Sequence, residues 1–175
     1  MDPVTTALLP SPHRAASQFS QLIVPTCTFE TAPSLDLLIV PGGQGTRDPK
    51  ISKAVSFVTR VYPSLQQLIA VCTGVGIAAQ AGVLDGKRAT TNKLSWDSTV
   101  ALRPEVDWVY QSRWICDGNI WTSSGISAGI DVTLAWIESS YGETTATAIA
   151  NRMEYVRATD PSQDPFATLY KKETS

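Results

Sequence analysis

Two nearly continuous apolar runs stand out in the hydrophobic pattern of the chain, and each ends in a group of small residues. Residues 35–40 (LDLLIV) run into residues 41–43 (PGG), and residues 68–71 (LIAV) run into residues 72–74 (CTG). Apolar runs of this length, bounded by turn residues, are typical of strands buried on both faces. Between them, residues 48–62 carry apolar side chains at roughly helical spacing. The order strand, helix, strand predicts a parallel sheet with a right-handed crossover.

The remaining elements are predicted from shorter or weaker patterns. Residues 18–29 have a strand-like composition, but Pro25 restricts them to a sheet edge or a bulge. The Asp117-Gly118 pair favours a tight hairpin between the strands that flank it. The other predicted strands are 87–91, 106–110, 113–116 and 120–122, and the other predicted helices are 73–82, 93–102, 128–140 and 143–155. After residue 155 the sequence predicts only turns and a tail.

The composition is that of an ordinary folded protein. The chain has 175 residues, of which 43% are hydrophobic and 17% charged, which is enough to bury the core of one domain. Fourteen basic and sixteen acidic residues leave a formal net charge of -2, so nothing favours nucleic acid or an anionic membrane as a partner. No apolar run approaches the roughly 18 residues of a membrane span, and residues 1–14 lack a signal-peptide pattern. We therefore expect a cytoplasmic protein.

The residues that most often hold metals or cofactors are sparse. Cys27, Cys72 and Cys116 are odd in number and lack CxxC spacing, which argues against a disulfide framework and against zinc. The only histidine, His13, lies in the proline-rich residues 1–17, which we interpret as a loosely structured arm. The GGQGT segment lacks the Gly-Lys-Ser/Thr ending of a phosphate loop. We therefore expect no metal and no cofactor.

Cys72 is the main candidate for chemistry. A strand that changes into a helix within one or two residues must place Cys72 at the turn, with its side chain above the carboxyl edge of the sheet. There the unpaired N–H groups and the dipole of the helix favour a thiolate. This arrangement is a nucleophile elbow. The sequence leaves open the alternative that Cys72 is a small buried apolar residue, as most free cysteines are.

Two glycines are predicted to lie beside Cys72, because the carboxyl ends of parallel strands share one rim of a sheet. Gly42 and Gly43 permit positive φ and close approach, so a backbone N–H there and the N–H of Thr73 are candidates for an oxyanion hole. The alternative is that these glycines merely end a strand. Trp96 follows the elbow closely enough to line a binding pocket, although the five tryptophans are more typical of a core or an interface.

Three segments, in this order, resemble the ThiJ/PfpI superfamily of class I glutamine amidotransferase-like proteins. They are VPGGQGT (40–46), AVCTGVGIAAQAGVLDGKRATTNK (70–93) and TSSGISAGIDVTLAWIE (122–138). Within the superfamily the chain is most similar to isocyanide hydratases and their fungal and bacterial relatives. The resemblance covers about residues 18–166, which leaves an arm at 1–17 and a tail at 167–175. It implies an α/β, flavodoxin-like three-layer sandwich with a mostly parallel sheet, and it implies a homodimer.

The resemblance also implies roles for individual residues. Cys72 is expected to be the nucleophile, with the N–H groups of Gly43 and Thr73 contacting the oxyanion and the Thr73 hydroxyl holding the reacting group. The other residues expected to contact the substrate are Gly42, Gly74, Asn92, Trp96, Ser124, Gly125 and Ile126. In isocyanide hydratases the thiolate attacks the terminal carbon, and water then releases an N-substituted formamide without a cofactor. The leading hypothesis is such an enzyme, acting on a small and mostly apolar electrophile.

Two departures from the family pattern bear on the mechanism. The family begins with a strand and a carboxylate that hydrogen-bonds the cysteine, and neither is found before Gln18, since Asp2 lacks the family's context. Loss of such a proton shuttle costs roughly 10²–10⁴-fold in rate. A missing first strand also leaves a central position of the sheet unfilled. Asn92 stands where many relatives have a histidine, which disfavours amidase or protease chemistry by a Cys/His pair.

Other hypotheses remain open from the sequence. The second is a non-catalytic relative that keeps the fold for dimerisation, thiol redox sensing or small-molecule binding, and the missing carboxylate favours it. The third, the ligand-sensing part of a transcription regulator, requires a DNA-binding domain, for which these 175 residues have no pattern. Related hydratase and lyase reactions on the same scaffold are not separated by the sequence.

Overall fold

The computed structural model describes residues 24–170, and a four-stranded sheet lies at its centre. The strands, in chain order, are β1 (Leu37–Val40), β2 (Gln67–Val71), β3 (Arg88–Ala89), β4 (Asp107–Trp108), β5 (Trp114–Asp117) and β6 (Ile120–Ser123). The central sheet has the order β1-β2-β6-β5, and β3 and β4 form a separate parallel pair. Strands β1, β2 and β6 are parallel, whereas β5 and β6 form the predicted antiparallel hairpin, with Gly118 in its turn.

The parallel register brings three loops to one rim of the sheet. Val40 pairs with Ala70, and Val71 pairs with Ser123, so β1, β2 and β6 end at nearly the same height. The loops that follow these three strands therefore meet at the carboxyl edge, where ligands bind in open α/β sheets. The sequence predicted this meeting for the first two loops.

Helices cover both faces of the sheet. They are α1 (Ser52–Val61), α2 (Val75–Gln80), α3 (Trp96–Val100), α4 (Ala128–Tyr141), α5 (Glu143–Arg152) and α6 (Pro165–Leu169). Leu68 and Ala70 belong to a core shared with α1 and α2, while Ile69 belongs to a core shared with α4. Alternate residues of β2 thus pack against helices on opposite faces of the sheet, which confirms the predicted layered α/β architecture with a mostly parallel sheet.

None of the helices within residues 24–170 has the length and apolar character needed to cross a membrane.

The strand predicted at residues 18–29 is wrong for the part that the structure describes. Residues 24–29 contain no strand, and residues 18–23 lie outside the described residues. The Thr28 N–H donates to the Thr31 hydroxyl at 3.0 Å, and the Thr31 N–H donates to the Thr28 hydroxyl at 3.2 Å. These local hydrogen bonds use the N–H groups of Thr28 and Thr31, which a strand would donate to a neighbouring strand. A turn therefore forms instead of the strand.

The C-terminal segment has a helix where the sequence predicts only turns. In α6 the Asp164 carboxylate accepts from the Phe166 N–H at 3.1 Å, and Pro165 occupies the first turn. An aspartate at the N-cap followed by proline is a helix-start signal that the pattern of apolar residues alone does not detect. Ala167 of this short helix is buried, so α6 packs onto the rest of the structure.

Strand β1 lies at an edge of the sheet among residues 24–170, with β2 as its partner there. Ile39 of β1 is 48% exposed, although strands of a parallel sheet are usually covered on both faces. The expectation that a neighbouring strand position is unfilled stays a prediction, because residues 1–23 lie outside the described residues.

Candidate active site

Cys72 lies at the turn between β2 and α2. Strand β2 ends at Val71, the residues Cys72–Gly74 form one turn of 3-10 helix, and α2 begins at Val75. Cys72 has a φ of 58°, in the left-handed region that residues with a Cβ rarely adopt. The residue is buried, with 7% of its surface exposed. The structure therefore has a strained strand-to-helix elbow at the residue for which the sequence predicts one.

Strain at the elbow is expected to appear in the stability of two variants. A Cβ in the left-handed region costs roughly 1–2 kcal/mol, so Cys72→Gly should be about 1 kcal/mol more stable than Cys72→Ala. Both variants lack the sulfur, and the comparison therefore isolates the Cβ. At Cys116, in strand β5, the same two substitutions should rank in the opposite order, because glycine weakens a strand. Urea unfolding measures all four variants, and a Cys72→Gly protein that is less stable than Cys72→Ala by as much as the Cys116 pair differs would show that the elbow stores no strain.

Two glycines allow the end of β1 to pack directly against the elbow. A Cβ added at Gly42 would lie 2.8 Å from the Cys72 Cβ and 2.8 Å from the Thr73 backbone nitrogen. A Cβ added at Gly74 would lie 2.5 Å from the Val40 carbonyl oxygen. Neither position accepts a side chain unless the surrounding backbone moves. The absence of a Cβ at Gly42 is therefore what lets the turn after β1 lie directly against Cys72 and Thr73.

Gly42→Ala is expected to lower the free energy of unfolding by about 1–3 kcal/mol, as overpacking does. Gly125→Ala is the matched control, because its new Cβ would meet the Asn92 Nδ2 atom at 3.7 Å, an ordinary contact. Thermal or urea unfolding of the two variants measures the difference. Equal stability of the two proteins would contradict the close packing of Gly42 against the elbow.

The predicted oxyanion donors are adjacent in the structure. The Gly43 N–H donates to the Thr73 hydroxyl oxygen at 2.9 Å, and the Gly43 carbonyl accepts from the Thr46 hydroxyl at 2.8 Å. The Thr73 hydroxyl also lies 3.3 Å from the Gly43 carbonyl oxygen. The N–H of Gly43 is thus satisfied within the protein. A ligand oxygen that uses this N–H must displace the Thr73 hydroxyl.

Thr91 and Asn92 tie the elbow to neighbouring loops. The Thr91 hydroxyl is buried and donates to the Cys72 carbonyl oxygen at 2.9 Å. The Asn92 side chain accepts from the Ser95 N–H at 2.9 Å, directly before α3, and its amide nitrogen faces Gly125. The structure therefore brings together Asn92 and Gly125, two of the residues predicted to contact substrate. The sequence missed Thr91, because a threonine in an extended segment gives no signal for a tertiary contact.

Three other residues that were predicted to contact substrate lie away from the large cavity next to the elbow. Trp96 packs edge-on against Tyr110, with ring centroids 4.8 Å apart. Ser124 is buried, and its hydroxyl donates to the Asp164 carboxylate at 2.7 Å. Ile126 is 84% exposed and borders an apolar groove beside α4. None of the three lines the large cavity next to the elbow.

A buried ion pair connects the loops around the elbow with α6. The Lys93 Nζ atom lies 3.3 Å from Asp164 Oδ2, and the two side chains are 1% and 0% exposed. Lys93 also donates to the Thr90 hydroxyl and to the carbonyl oxygens of Thr91 and Ser112. Burial lowers the pKa of the Lys93 ammonium, and the nearby Asp164 charge opposes that shift. This pair was not predictable from the sequence, because its members lie 71 positions apart in the chain and nothing in the pattern shows that they meet.

A cavity of about 720 Å³ opens beside the elbow. Thr73 and Gly76 line it from the elbow and α2, and residues 46–56 contribute another side. The segment before Gln18, in which the sequence shows no counterpart of the family's acidic residue, lies outside the described residues. Residues 24–170 contain no group of three His, Cys, Asp or Glu side chains placed to hold a metal ion.

The chain is similar to several known proteins. A model of the DJ-1/PfpI family matches residues 7–139. An isonitrile hydratase from Pseudomonas putida is 36% identical over 137 residues, which are 77% of this chain and 58% of that protein. The HTH-type transcriptional regulator GbdR from Pseudomonas aeruginosa is 31% identical over 137 residues, which are 77% of this chain and 36% of the regulator.

The chain is also similar to a solved structure. The crystal structure of a ThiJ/PfpI family protein from Pseudomonas syringae has a TM-score of 0.66 and 26% identity, and the alignment covers 84% of this chain and 64% of that one. The chain therefore spans a little over half the length of the hydratase and about a third of the length of the regulator. The family match begins at residue 7, within the segment predicted to be an arm, and it includes Cys72 and all of β1 to β6.

Proposed function

The chain belongs to the DJ-1/PfpI family, and from this premise we propose that it is a cysteine-dependent hydratase that adds water to a small electrophilic carbon such as that of an isocyanide. The observation that carries the proposal is the elbow, where Cys72 keeps a φ of 58° between a buried strand and a helix. Backbone strain of this kind is concentrated at functional sites. The close packing of Gly42 against the elbow, which holds Cys72 in place, and the similarity to the isonitrile hydratase support a reaction at this sulfur.

The proposed reaction consumes one water for each isocyanide. The Cys72 thiolate forms a bond to the terminal carbon, which takes up a proton to give a thioimidate. Water then adds to the same carbon, the C–S bond breaks, and the thiolate leaves as the N-substituted formamide is released. The oxygen of water ends on the carbon, and its two hydrogens are accounted for by the new C–H and N–H bonds. The reaction is redox-neutral.

Proton supply is expected to limit this scheme. The sequence has no counterpart of the family's acidic residue before Gln18, and a positioned acid typically accelerates such steps roughly 10²–10⁴-fold. We therefore expect slow turnover. The Thr73 hydroxyl and the Thr73 N–H are the groups of the elbow closest in sequence to the sulfur, and they would orient the adduct.

A redox-sensing or ligand-binding protein without turnover is the second candidate. The lack of a counterpart of the family's acidic residue before Gln18 favours it, and so does the similarity to the regulator GbdR. In that case peroxide is expected to convert Cys72 to a stable sulfinic acid. No electrophile would then be turned over.

Incubation of the purified protein with cyclohexyl isocyanide tests the proposal. Proton NMR follows the formyl hydrogen of the product, and we expect formamide to exceed the protein concentration many times over. A parallel sample with glyoxal separates isocyanide hydration from carbonyl hydration. Absence of product from both compounds, together with a stable Cys72 sulfinate after peroxide treatment, would favour the second candidate.

A homodimer, a cytoplasmic location and a small-molecule partner remain predictions within this proposal. The homodimer comes from the family resemblance, and the location comes from the composition of the chain. Sedimentation of the purified protein distinguishes a dimer from a monomer, and a monomer at micromolar concentration would contradict the first of these predictions.

A further inference from the structure

The cavity beside the elbow extends from the neighbour of Cys72 to the start of α3. Thr73 lines it at one end and also contacts the Gly43 N–H. Arg47, on the loop after β1, lines it as well and donates to the Ser95 hydroxyl at 3.0 Å. Arg47 therefore connects the loop after β1 with the residue before α3. A ligand in this cavity has Thr73, the neighbour of Cys72 in the chain, on one side and the Arg47 guanidinium on another, whereas Cys72 itself is not among the lining residues.

Hydroxyl groups are the most frequent polar groups of the cavity lining. Besides Thr73 they belong to Thr46, Ser52, Ser56, Ser95, Ser98 and Thr99. A hydroxyl both donates and accepts hydrogen bonds, so such a surface solvates a polar or charged ligand group. Ile51, Val55 and Leu102 also line the cavity, so it suits a ligand with an apolar body and a polar group.

Three charged side chains line the cavity: the cations Arg47 and Arg103 and the anion Asp48. Arg103 donates to the two carboxylate oxygens of Asp85, at 2.8 and 2.5 Å, so its charge is already paired. Arg47 differs from Arg103, because its hydrogen bond goes to the neutral Ser95 hydroxyl. Asp48 accepts from a backbone N–H of the following turn at 2.7 Å. Of the two cations, Arg47 is the one that an anionic ligand group can still neutralise.

We propose that this cavity binds the carboxylate group of a substrate through Arg47, and that the protein prefers electrophiles that carry a carboxylate. A guanidinium presents paired N–H donors that match the two oxygens of a carboxylate. The Ser95 hydroxyl, which already contacts Arg47, adds a further donor at the same place. The inference rests on the proposed function for the position of the reacting carbon at Cys72. The carboxylate site itself does not depend on turnover.

Alkylation of Cys72 by two reagents of nearly equal size tests the carboxylate site without any need for turnover. Iodoacetate carries a carboxylate and iodoacetamide carries a neutral amide; with either one, the sulfur bonds to the methylene carbon and iodide leaves. Peptide mass spectrometry gives the rate constant at Cys72 for each reagent, and the exposed Cys116 serves as an internal reference. We expect Arg47→Gln to lower the iodoacetate-to-iodoacetamide rate ratio at Cys72 about 2- to 5-fold, as an ion pair open to solvent does.

Arg152→Gln is the matched control. Arg152 is an exposed arginine at the end of α5, and its substitution removes the same charge outside the cavity. The ratio at Cys72 should stay unchanged in this variant, and the ratio at Cys116 should stay unchanged in both. A ratio at Cys72 that is unaffected by Arg47→Gln, or that falls equally in both variants, would overturn the inference. A Cys72 that reacts with neither reagent would overturn it too, because the cavity then delivers no carboxylate to the sulfur.

A second measurement separates this inference from the proposed hydratase activity. With isocyanoacetate and its neutral methyl ester as substrates, Arg47→Gln should raise KM for the acid and leave kcat and the ester kinetics nearly unchanged. Turnover of both compounds without an effect of Arg47→Gln would retain the hydratase and reject the carboxylate site. An Arg47-dependent alkylation ratio without turnover of any isocyanide would retain the site and reject the hydratase.

Discussion

Replacement of Cys72 by alanine is expected to lower formamide production by about 10⁴-fold or more, because the group that bonds to the isocyanide carbon is lost. Cys72→Ser should be almost as inactive. A serine hydroxyl needs a general base to act as a nucleophile, and residues 24–170 contain no histidine, while the sequence has no counterpart of the family's acidic residue before Gln18. Proton NMR of the formyl hydrogen, at matched protein concentrations, measures both variants.

The matched control for this experiment is Cys116→Ala. Cys116 is exposed on β5, and its sulfur lies 3.7 Å from the Gly118 carbonyl oxygen, away from the rim of the sheet that holds the elbow. This variant should keep the activity of the unaltered protein. Unfolding curves check that each variant is folded. A folded Cys72→Ala protein with more than about a tenth of the original activity would rule out nucleophilic catalysis by this residue.

Asp164→Asn is expected to lower the free energy of unfolding by about 3–5 kcal/mol, the usual cost of leaving a buried charge without its partner. The amide preserves the size of the side chain and an acceptor for the Ser124 hydroxyl, but it removes the negative charge 3.3 Å from Lys93 Nζ. Lys93 also bonds the carbonyl of Thr91, whose hydroxyl holds the Cys72 carbonyl. The substitution should therefore loosen the elbow as well, and urea unfolding measures the loss.

Two further variants make this prediction specific to the buried pair. Asp85→Asn removes a carboxylate from the exposed pair with Arg103, and its effect should be much smaller because water screens exposed charges. Lys93→Met combined with Asp164→Asn should recover part of the loss, since it removes the unpaired ammonium. If Asp164→Asn were no more destabilising than Asp85→Asn, the buried pair would not contribute as the structure indicates.

The parts of the fold that the sequence predicted correctly are those with local signals. A strand covered on both faces must be apolar throughout, and residues 35–40 and 68–71 meet that condition, so their parallel pairing as β1 and β2 was predictable. The elbow at Cys72 was predictable because a strand and a helix follow each other without intervening residues. Close packing at Gly42 was expected because only glycine lets one turn approach another so closely.

The errors and omissions concern contacts between residues that are distant in the chain, or local bonds that override composition. Residues 24–29 have strand-like composition, but the hydroxyls of Thr28 and Thr31 bind the backbone and form a turn. The pair of Lys93 with Asp164 forms only when α6 packs against the loops of the site. Polar residues have no periodicity that shows which of them will meet, so neither this pair nor the contact of Arg47 with Ser95 was predictable.

The same reasoning explains which positions of the candidate site residues were predictable; their roles stay predictions. Backbone geometry around Cys72 follows from the local sequence, so Gly42, Gly43 and Thr73 were placed beside it correctly. Side chains from later loops depend on tertiary packing. Ser124 is engaged by Asp164, and this contact is not encoded in the segment that contains the serine.

Stepwise alkylation of the unaltered protein with iodoacetamide tests the central role of Cys72 most directly. Residual hydratase activity and the modified fraction of each cysteine are measured at every step, and peptide mass spectrometry separates Cys72 from Cys27 and Cys116. We expect activity to fall in proportion to the modified fraction of Cys72 and to vanish when that residue is fully modified, whatever the state of the other two. Activity that persists after complete modification of Cys72 would contradict the account.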